Sequence, residues 1–209
     1  LCGTTTRMNF NELFESIYSQ NLHHEPRKFI EQFEHNRILI EGQKTSNNPT
    51  LYDNVTRLCS DYAHCLVCTE NYKEATSAIE KAILLFQEHP DYKDQDLLDV
   101  FYYETILFDR VQMNYHAKNF EEVVADLNIL SNKFPTNEKY SNWMKGAKLQ
   151  KLYRIEKLLY FTMLGGIIGD LFLDDSQLIL KAISTVILVA SIITIAVLEF
   201  IKWRRKKST

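Results

Sequence analysis

From residue 182 to 198 the chain reads AISTVILVASIITIAVL, with no charge anywhere in the run. Widening it to 178–201 admits only Lys181 and Glu199, both near the ends. Twenty-four helical residues at 1.5 Å each reach about 36 Å, enough for a hydrocarbon core of roughly 30 Å with some tilt. A helix apolar on every face for that length is out of place in the core of a water-soluble protein. It closes on KWRRKK, residues 202–207, a basic end suited to lipid headgroups. This run is expected to cross a bilayer.

An earlier run, LLYFTMLGGIIGDLFL at 158–173, contains Gly165, Gly166, Gly169 and Asp170. Extended back to Tyr153, with Arg154 and Lys157 reaching for the headgroups, its 21 residues give about 31 Å, just enough to cross. Basic residues precede it (Lys145, Lys148, Lys151, Arg154, Lys157) and follow the second run, whereas the link between them carries Asp174, Asp175, Ser176 and Gln177. The positive-inside rule then keeps both ends in the cytoplasm and turns the acidic link outward. Two crossings are expected. The alternative is a single crossing with a translocated tail, similar to tail-anchored receptors. Gly165 with Gly169, and Ala190 with Thr194, are expected to form the small-residue faces through which these spans pack on each other or on a second copy. Asp170 is expected near Lys181 at the outer end, and Glu199 near Lys202 at the inner end.

The preceding part of the chain is different in kind. Residues 1–150 hold 15 Lys and Arg against 22 Asp and Glu, a net of −7, while the last 59 residues carry 9 against 5. An acidic front part lacks the cationic face that displaces counterions from phosphates, so nucleic acid is not an expected partner. Apolar residues recur there at three and four, the helical spacing. NELFESIYSQ places Leu13, Phe14 and Ile17 on one face, and RKFIEQFEHNRILI does the same with Phe29, Ile30, Phe33 and Ile38. GQKTSNNPT at 42–50 breaks the pattern, with Pro49 preceding or opening the next helix. The opening LCGTTTRMNFNELFESIY lacks a basic start followed by an apolar run, so no export signal is expected there. The expected organisation is all-α: a helical pair at 1–50, helical repeats at 51–150, and a two-helix membrane hairpin with a basic tail at 151–209.

Two stretches align with each other, residues 58–90 and 107–135. Each has a helix, a polar turn with Asn before an aromatic (Asn71-Tyr72, Asn119-Phe120), a Glu-bearing first turn, and a second helix running to a Pro. With Ala63, Tyr72, Ala75 and Ala82 in the first and Leu107, Phe120, Leu127 and Pro135 in the second, they resemble the tetratricopeptide repeat family. Small residues at Ala63, Ala75 and Ala82 suit helices that approach closely. The second unit departs from the family at Val111 and Val123, and 48 residues separate Tyr72 from Phe120 where the family has about 34. The surplus, DYKDQDLLDVFYYETI, is expected to lengthen the loop and the helix after it, and NEKYSNWMKGAKLQKLYRIEK to form a lone third first-helix. The resemblance implies a TPR-like solenoid whose first helices line a concave groove for a peptide or protein. Its groove-facing positions are Arg57, Ser60, His64 and Val67, then Thr105, Phe108, Gln112 and His116. The Lys, Asn and Arg set with which some members clamp a terminal carboxylate is missing.

Catalytic signatures are absent: there is no Gly-rich phosphate loop, nucleophile elbow, HExxH or carboxylate pair. Cys65 and Cys68 form one CxxC, which offers two thiolates where a tetrahedral zinc site wants four ligands. Cys59 lies about 240° around the helix from Cys65, and His64 is expected to point elsewhere. His23, His24 and His35 read as surface residues, Cys2 stands apart, and no disulfide framework, metal or cofactor is expected. The expected function is a non-enzymatic, membrane-anchored protein-interaction adaptor facing the cytoplasm. The alternative is a membrane effector whose hairpin oligomerises into a pore, with the repeats as its sensor.

Overall fold

The computed structural model describes residues 9–44, 48–172 and 178–207, and every described element is helical. The chain divides into two compact units, residues 1–144 and 145–209.

In the first unit, α1 (Phe10–Ser19) starts at a capping box: the Asn9 side chain accepts from the Glu12 amide and the Glu12 carboxylate accepts from the Asn9 amide, at 2.9 and 3.0 Å. Phe10, Leu13 and Ile17 form its buried face. Helix α2 (Pro26–His35) has proline in its first position, where the missing N–H is no loss. The expected continuous face of Phe29, Phe33 and Ile38 does not form. The Asn36 side chain takes the Gln32 carbonyl at 2.9 Å and the chain bends into a separate α3 (Arg37–Glu41). The bend turns Ile38 out to 90 % exposure and brings Ile40 into the core in its place.

Pro49 is the first residue of α4 (Pro49–Cys68), with the Asn48 side chain accepting from the Leu51 amide. Helix α5 (Tyr72–Gln87) packs against α4, and α4 also contacts α2. Two short 3-10 turns, Pro90–Tyr92 and Leu97–Asp99, fill the surplus segment before α6 (Phe101–His116). Helix α6 packs against α4, α5 and α7 (Phe120–Lys133). Ala63, Ala75 and Ala82 are fully buried, as close helix approach requires, and Val111 and Val123, on α6 and α7, are fully buried too. Because α2 packs on α4, the first helices belong to the same unit as those that follow.

The turns between paired helices repeat. At the end of α4 the Asn71 amide donates to the Leu66 carbonyl and Glu70 to Val67; at the end of α6 Asn119 donates to Asn114 and Lys118 to Tyr115. Both are six-to-one closures that need a left-handed residue. Among the described residues, the non-glycine residues at positive φ are Asn21 (54°), Glu70 (60°) and Lys118 (62°), and the first of these follows α1. Asparagine tolerates that region; Glu and Lys carry a Cβ penalty there. Glu70→Gly and Lys118→Gly should therefore each stabilise the first unit by about 0.5–1 kcal/mol, read as a higher urea midpoint with unchanged slope.

Helix α8 (Glu138–Phe172) runs without a break through the expected third first-helix and the first apolar run, and α9 (Leu178–Lys207) contains the second. In the second unit α8 and α9 touch along antiparallel seams. Leu152, Glu156, Leu159, Met163 and Gly166 on α8, and Lys181, Ser184, Leu188, Ser191, Ile195 and Leu198 on α9, are buried or half-buried. They alternate at three and four, the spacing of a knobs-into-holes seam. Ser184 Oγ donates to the Gly166 carbonyl at 2.7 Å, and Thr162 Oγ1 lies 3.1 Å from Ser191 Oγ.

This corrects the expected packing residues for the contact between the two helices of one chain, and leaves the expected packing on a second copy as it was. Apart from its chain neighbours and the backbone of its own helix, no atom lies within 4 Å of the place where a Cβ on Gly165 would sit, and Ala190 and Thr194 are exposed. Gly166 is the close-approach glycine: a Cβ there would lie 3.3 Å from Leu188 Cβ and 3.4 Å from the Ser184 carbonyl. Gly169 is half-buried. The acidic link at 174–177 and the side chains of Asp170 and Lys202, with their expected pairings, lie outside the described residues. A disulfide formed between Thr162→Cys and Ser191→Cys should be lost on adding Gly166→Leu and kept on adding Gly165→Leu, which peptide mapping reads directly.

Candidate functional site

On α4, Arg57, Asp61, His64 and Cys68 succeed one another at four, three and four residues and so share one helix face. On α6 the same spacing joins Thr105, Asp109, Gln112 and His116. The two rows meet where His64 Nδ1 lies 2.8 Å from Asp109 Oδ2. Asp109 is 1 % exposed, and its second oxygen accepts from Gln112 Nε2 at 3.2 Å. A buried carboxylate is tolerable only with such partners.

The Asp109 hydrogen bond raises the His64 pKa against the opposing effect of burial. Asp61 and Lys139 also act on His64, in opposite directions. On the far side of the imidazole, Nε2 is 3.5 Å from Cys68 Sγ.

Next along α4, Asp61 accepts a 2.6 Å hydrogen bond from the Tyr18 hydroxyl of α1. Burial pushes the Asp61 carboxyl above its usual range and the Tyr18 phenol strongly upward. The Arg57 guanidinium lies 4.0 Å from the centre of the Tyr18 ring and 5.8 Å from that of Tyr102. Beyond α6, the beginning of α8 adds Lys139, whose ammonium sits 3.5 Å over Phe108, and Trp143, edge-on to Phe108 and Tyr115. Burial holds the Lys139 pKa below the ordinary lysine value. The Tyr140 hydroxyl donates to Glu104 and pins this end of α8 to α6.

The expected groove residues thus fall into two groups. Arg57, His64, Thr105, Gln112 and His116 lie on the shared rows, with His116 stacked on Tyr72 at 4.5 Å. Ser60, Val67 and Phe108 are buried and present no side chain to a ligand: Ser60 Oγ returns to the Thr56 carbonyl, Val67 joins the core, and Phe108 is covered by Lys139 and Trp143. Each lies one position away from a residue on the rows (Asp61, Cys68, Asp109), so the expected register is off by one at these points. His64 does not point away from the CxxC pair; the i,i+4 spacing sets it beside Cys68, while Cys65 is buried. Among the described residues no group of three or more His, Cys, Asp or Glu side chains is placed to hold a metal ion.

Comparison with protein-family models, with curated proteins and with solved structures finds no match in any of the three.

The His64–Asp109 pair makes a signed prediction. The folded-state pKa of His64 stands above its ordinary value of 6.5, so the pair's contribution to stability is fully present below about pH 6.5 and is lost as pH rises through the raised value. The gap in urea midpoint between the native chain and His64→Asn should therefore shrink from pH 6 to pH 9. A constant gap would show that the pair does not titrate in this way.

Proposed function

We propose that this chain is a membrane-anchored, non-enzymatic adaptor that holds a protein or peptide on the face made by α4, α6 and the start of α8. What supports the reading is one pairing of features: a polar row fixed by the buried Asp109 and half-buried Asp61 carboxylates, and a C-terminal helix with almost nothing to bury it. Ile179–Phe200 has mean hydropathy 2.4 over its most apolar window, of which 6 % is buried. It is the one described helix long and apolar enough to cross a membrane. Large apolar side chains are also exposed on α8, among them Leu158, Phe161, Leu164 and Leu171, whereas the first unit exposes Ile38, Leu84 and Ile129.

The repeated turns and the buried alanines support the tetratricopeptide-like reading of the helix pairs. His64, His116 and Lys139 are bases with exposed surface on the proposed face, and the Asp61 and Asp109 carboxylates below them are already engaged. A segment with acidic side chains complements that arrangement. A photocrosslinker at Gln112 or His116 of the full-length chain in its membrane should capture one discrete partner, and the same group at Glu122 on α7 should not. Equal capture from both positions refutes the face.

The apolar exposure on both α8 and α9, with their hydrogen-bonded seam, supports a hairpin, and the basic residues before the first run and after the second are the reason to keep both its ends in the cytoplasm. The single-span reading has its own support, since α9 alone meets the length and hydropathy of a crossing. Single cysteines at positions 176 and 208 decide between them. Labelling of the first alone by an impermeant reagent from outside fits the hairpin; labelling of the second alone fits one crossing.

A further inference from the structure

A shallow depression of about 680 Å³ opens between the first turn of α2 and the end of α4. Glu25, Arg27 and Lys28 line one side of it, and Cys68 and Glu70 the other. Cys68 is exposed, whereas Cys59 and Cys65 are buried and their thiols are pushed up to about 11 and about 12. What sets Cys68 apart is the relay behind it. Gln112 holds Asp109 at 3.2 Å, Asp109 holds His64 Nδ1 at 2.8 Å, and His64 Nε2 faces the Cys68 sulfur at 3.5 Å. With Nδ1–H donated to the carboxylate, the Nε2 lone pair is the free one and points at the thiol.

We propose that Cys68 is a covalent modification site, a thiol that exchanges with small amino-acid-type disulfides, with His64 as its base and Asp109 as the residue that positions His64. The thiol does not rest as a thiolate: burial and Asp109 raise its pKa, and the C-terminal end of α4 disfavours negative charge. A base is therefore required, and Asp109 strengthens the one that is present. In the step, the Cys68 proton passes to His64 Nε2 as Sγ attacks the nearer sulfur of the disulfide. A bond forms from Cys68 Sγ to that sulfur, the original sulfur–sulfur bond breaks, and the leaving sulfur takes its electron pair and the proton from His64. Cys68 is oxidised to a mixed disulfide and one equivalent of small thiol is released.

The depression selects the reactant class by carrying both signs of charge. The Arg27 side chain and the uncapped Arg27 and Lys28 amides that follow Pro26 suit a carboxylate; Glu70 suits an ammonium group, while Glu25 is engaged by Lys28 at 2.6 Å. An amino-acid-derived disulfide has both groups. The inference is independent of the partner-binding reading, since it is measured with no partner present.

The test uses the full-length chain in detergent micelles with Cys2 replaced by Ser, challenged with oxidised glutathione and, separately, with uncharged 2-hydroxyethyl disulfide. Peptide mass spectrometry should place the glutathionyl adduct on Cys68 and not on Cys59 or Cys65. The rate should exceed that of the neutral disulfide several-fold, and should rise with pH through an inflection above His64's ordinary 6.5. His64→Gln should slow the reaction at least about tenfold and remove the inflection, and Asp109→Asn should move the inflection down. Adducts spread over all three cysteines overturn the proposal, as does an unchanged rate in His64→Gln. Should that variant fail to fold, the native pH profile and the comparison of the two disulfides still decide: a profile without the inflection, or equal rates for both reagents, is fatal.

Discussion

Val189→Arg combined with Ile193→Arg should release the chain from membranes. Both side chains are exposed on α9, at 50 % and 58 %, and both lie near the middle of Ile179–Phe200. An arginine at the centre of a spanning helix costs about 2.5–3.5 kcal/mol on insertion scales, so the pair removes about 5–7 kcal/mol. That turns near-complete integration into a minor fraction. Alkaline extraction should move the double variant from pellet to supernatant. Leu84→Arg, placed on a half-exposed position of α5, should leave both partitioning and stability within about 0.5 kcal/mol of the native chain. A double variant that stays in the pellet would mean that α9 is not what holds the chain in the membrane.

A large loss of stability in the first unit is expected at Asp126→Ala. Asp126 is 3 % exposed and accepts two bonds from Arg110, from Nε at 2.9 Å and from Nη2 at 2.8 Å, a fork that joins α6 to α7. That hydrogen bonding lifts the Arg110 pKa above its already high value. Removing the carboxylate strands a three-quarters buried guanidinium whose other acid, Glu80, is 3.7 Å away and 57 % exposed. Breaking a buried pair from one side costs about 3–5 kcal/mol; the partial exposure of Arg110 brings the expectation to about 2–4 kcal/mol. The thermal midpoint should fall by on the order of 10 °C, while Glu80→Gln should change it little. A fall of only a degree or two would show that solvent replaces the carboxylate.

How far the sequence discloses this arrangement follows from which interactions are local. Helix periodicity, the proline at the head of α4 and the small residues at Ala63, Ala75 and Ala82 are set by nearest turns, and each stands where the pattern places it. The bend at Asn36 also has a local cause, a side-chain amide taking a carbonyl four residues back. An asparagine inside an apolar helical run is common, however, and the pattern alone carries Ile38 inward. The face around His64 is long-range. Nothing local marks Asp61 and Asp109, because Tyr18 and His64 reach them from other helices, 43 and 45 residues away in sequence. An alignment to a repeat motif fixes rows only to within a residue, and one residue on a helix is about 100° of rotation. That is why Ser60, Val67 and Phe108 stand in for Asp61, Cys68 and Asp109. The seam of the second unit slips in the same way, from Gly165 to Gly166.

The hydroxyls of α9 bear on how that helix can exist without company. Thr185 bonds to the Lys181 carbonyl, Ser191 to Ile187 and Thr194 to Ala190, each one turn back along the same rod. Of these four hydroxyl donors, Ser184 is the one that reaches across to a neighbour's backbone, at Gly166. If α8 were peeled away, the other three would keep their acceptors in oil and Ser184 would forfeit its own. Among the hydroxyls of α9, Ser184 is thus the one whose donor depends on its companion helix.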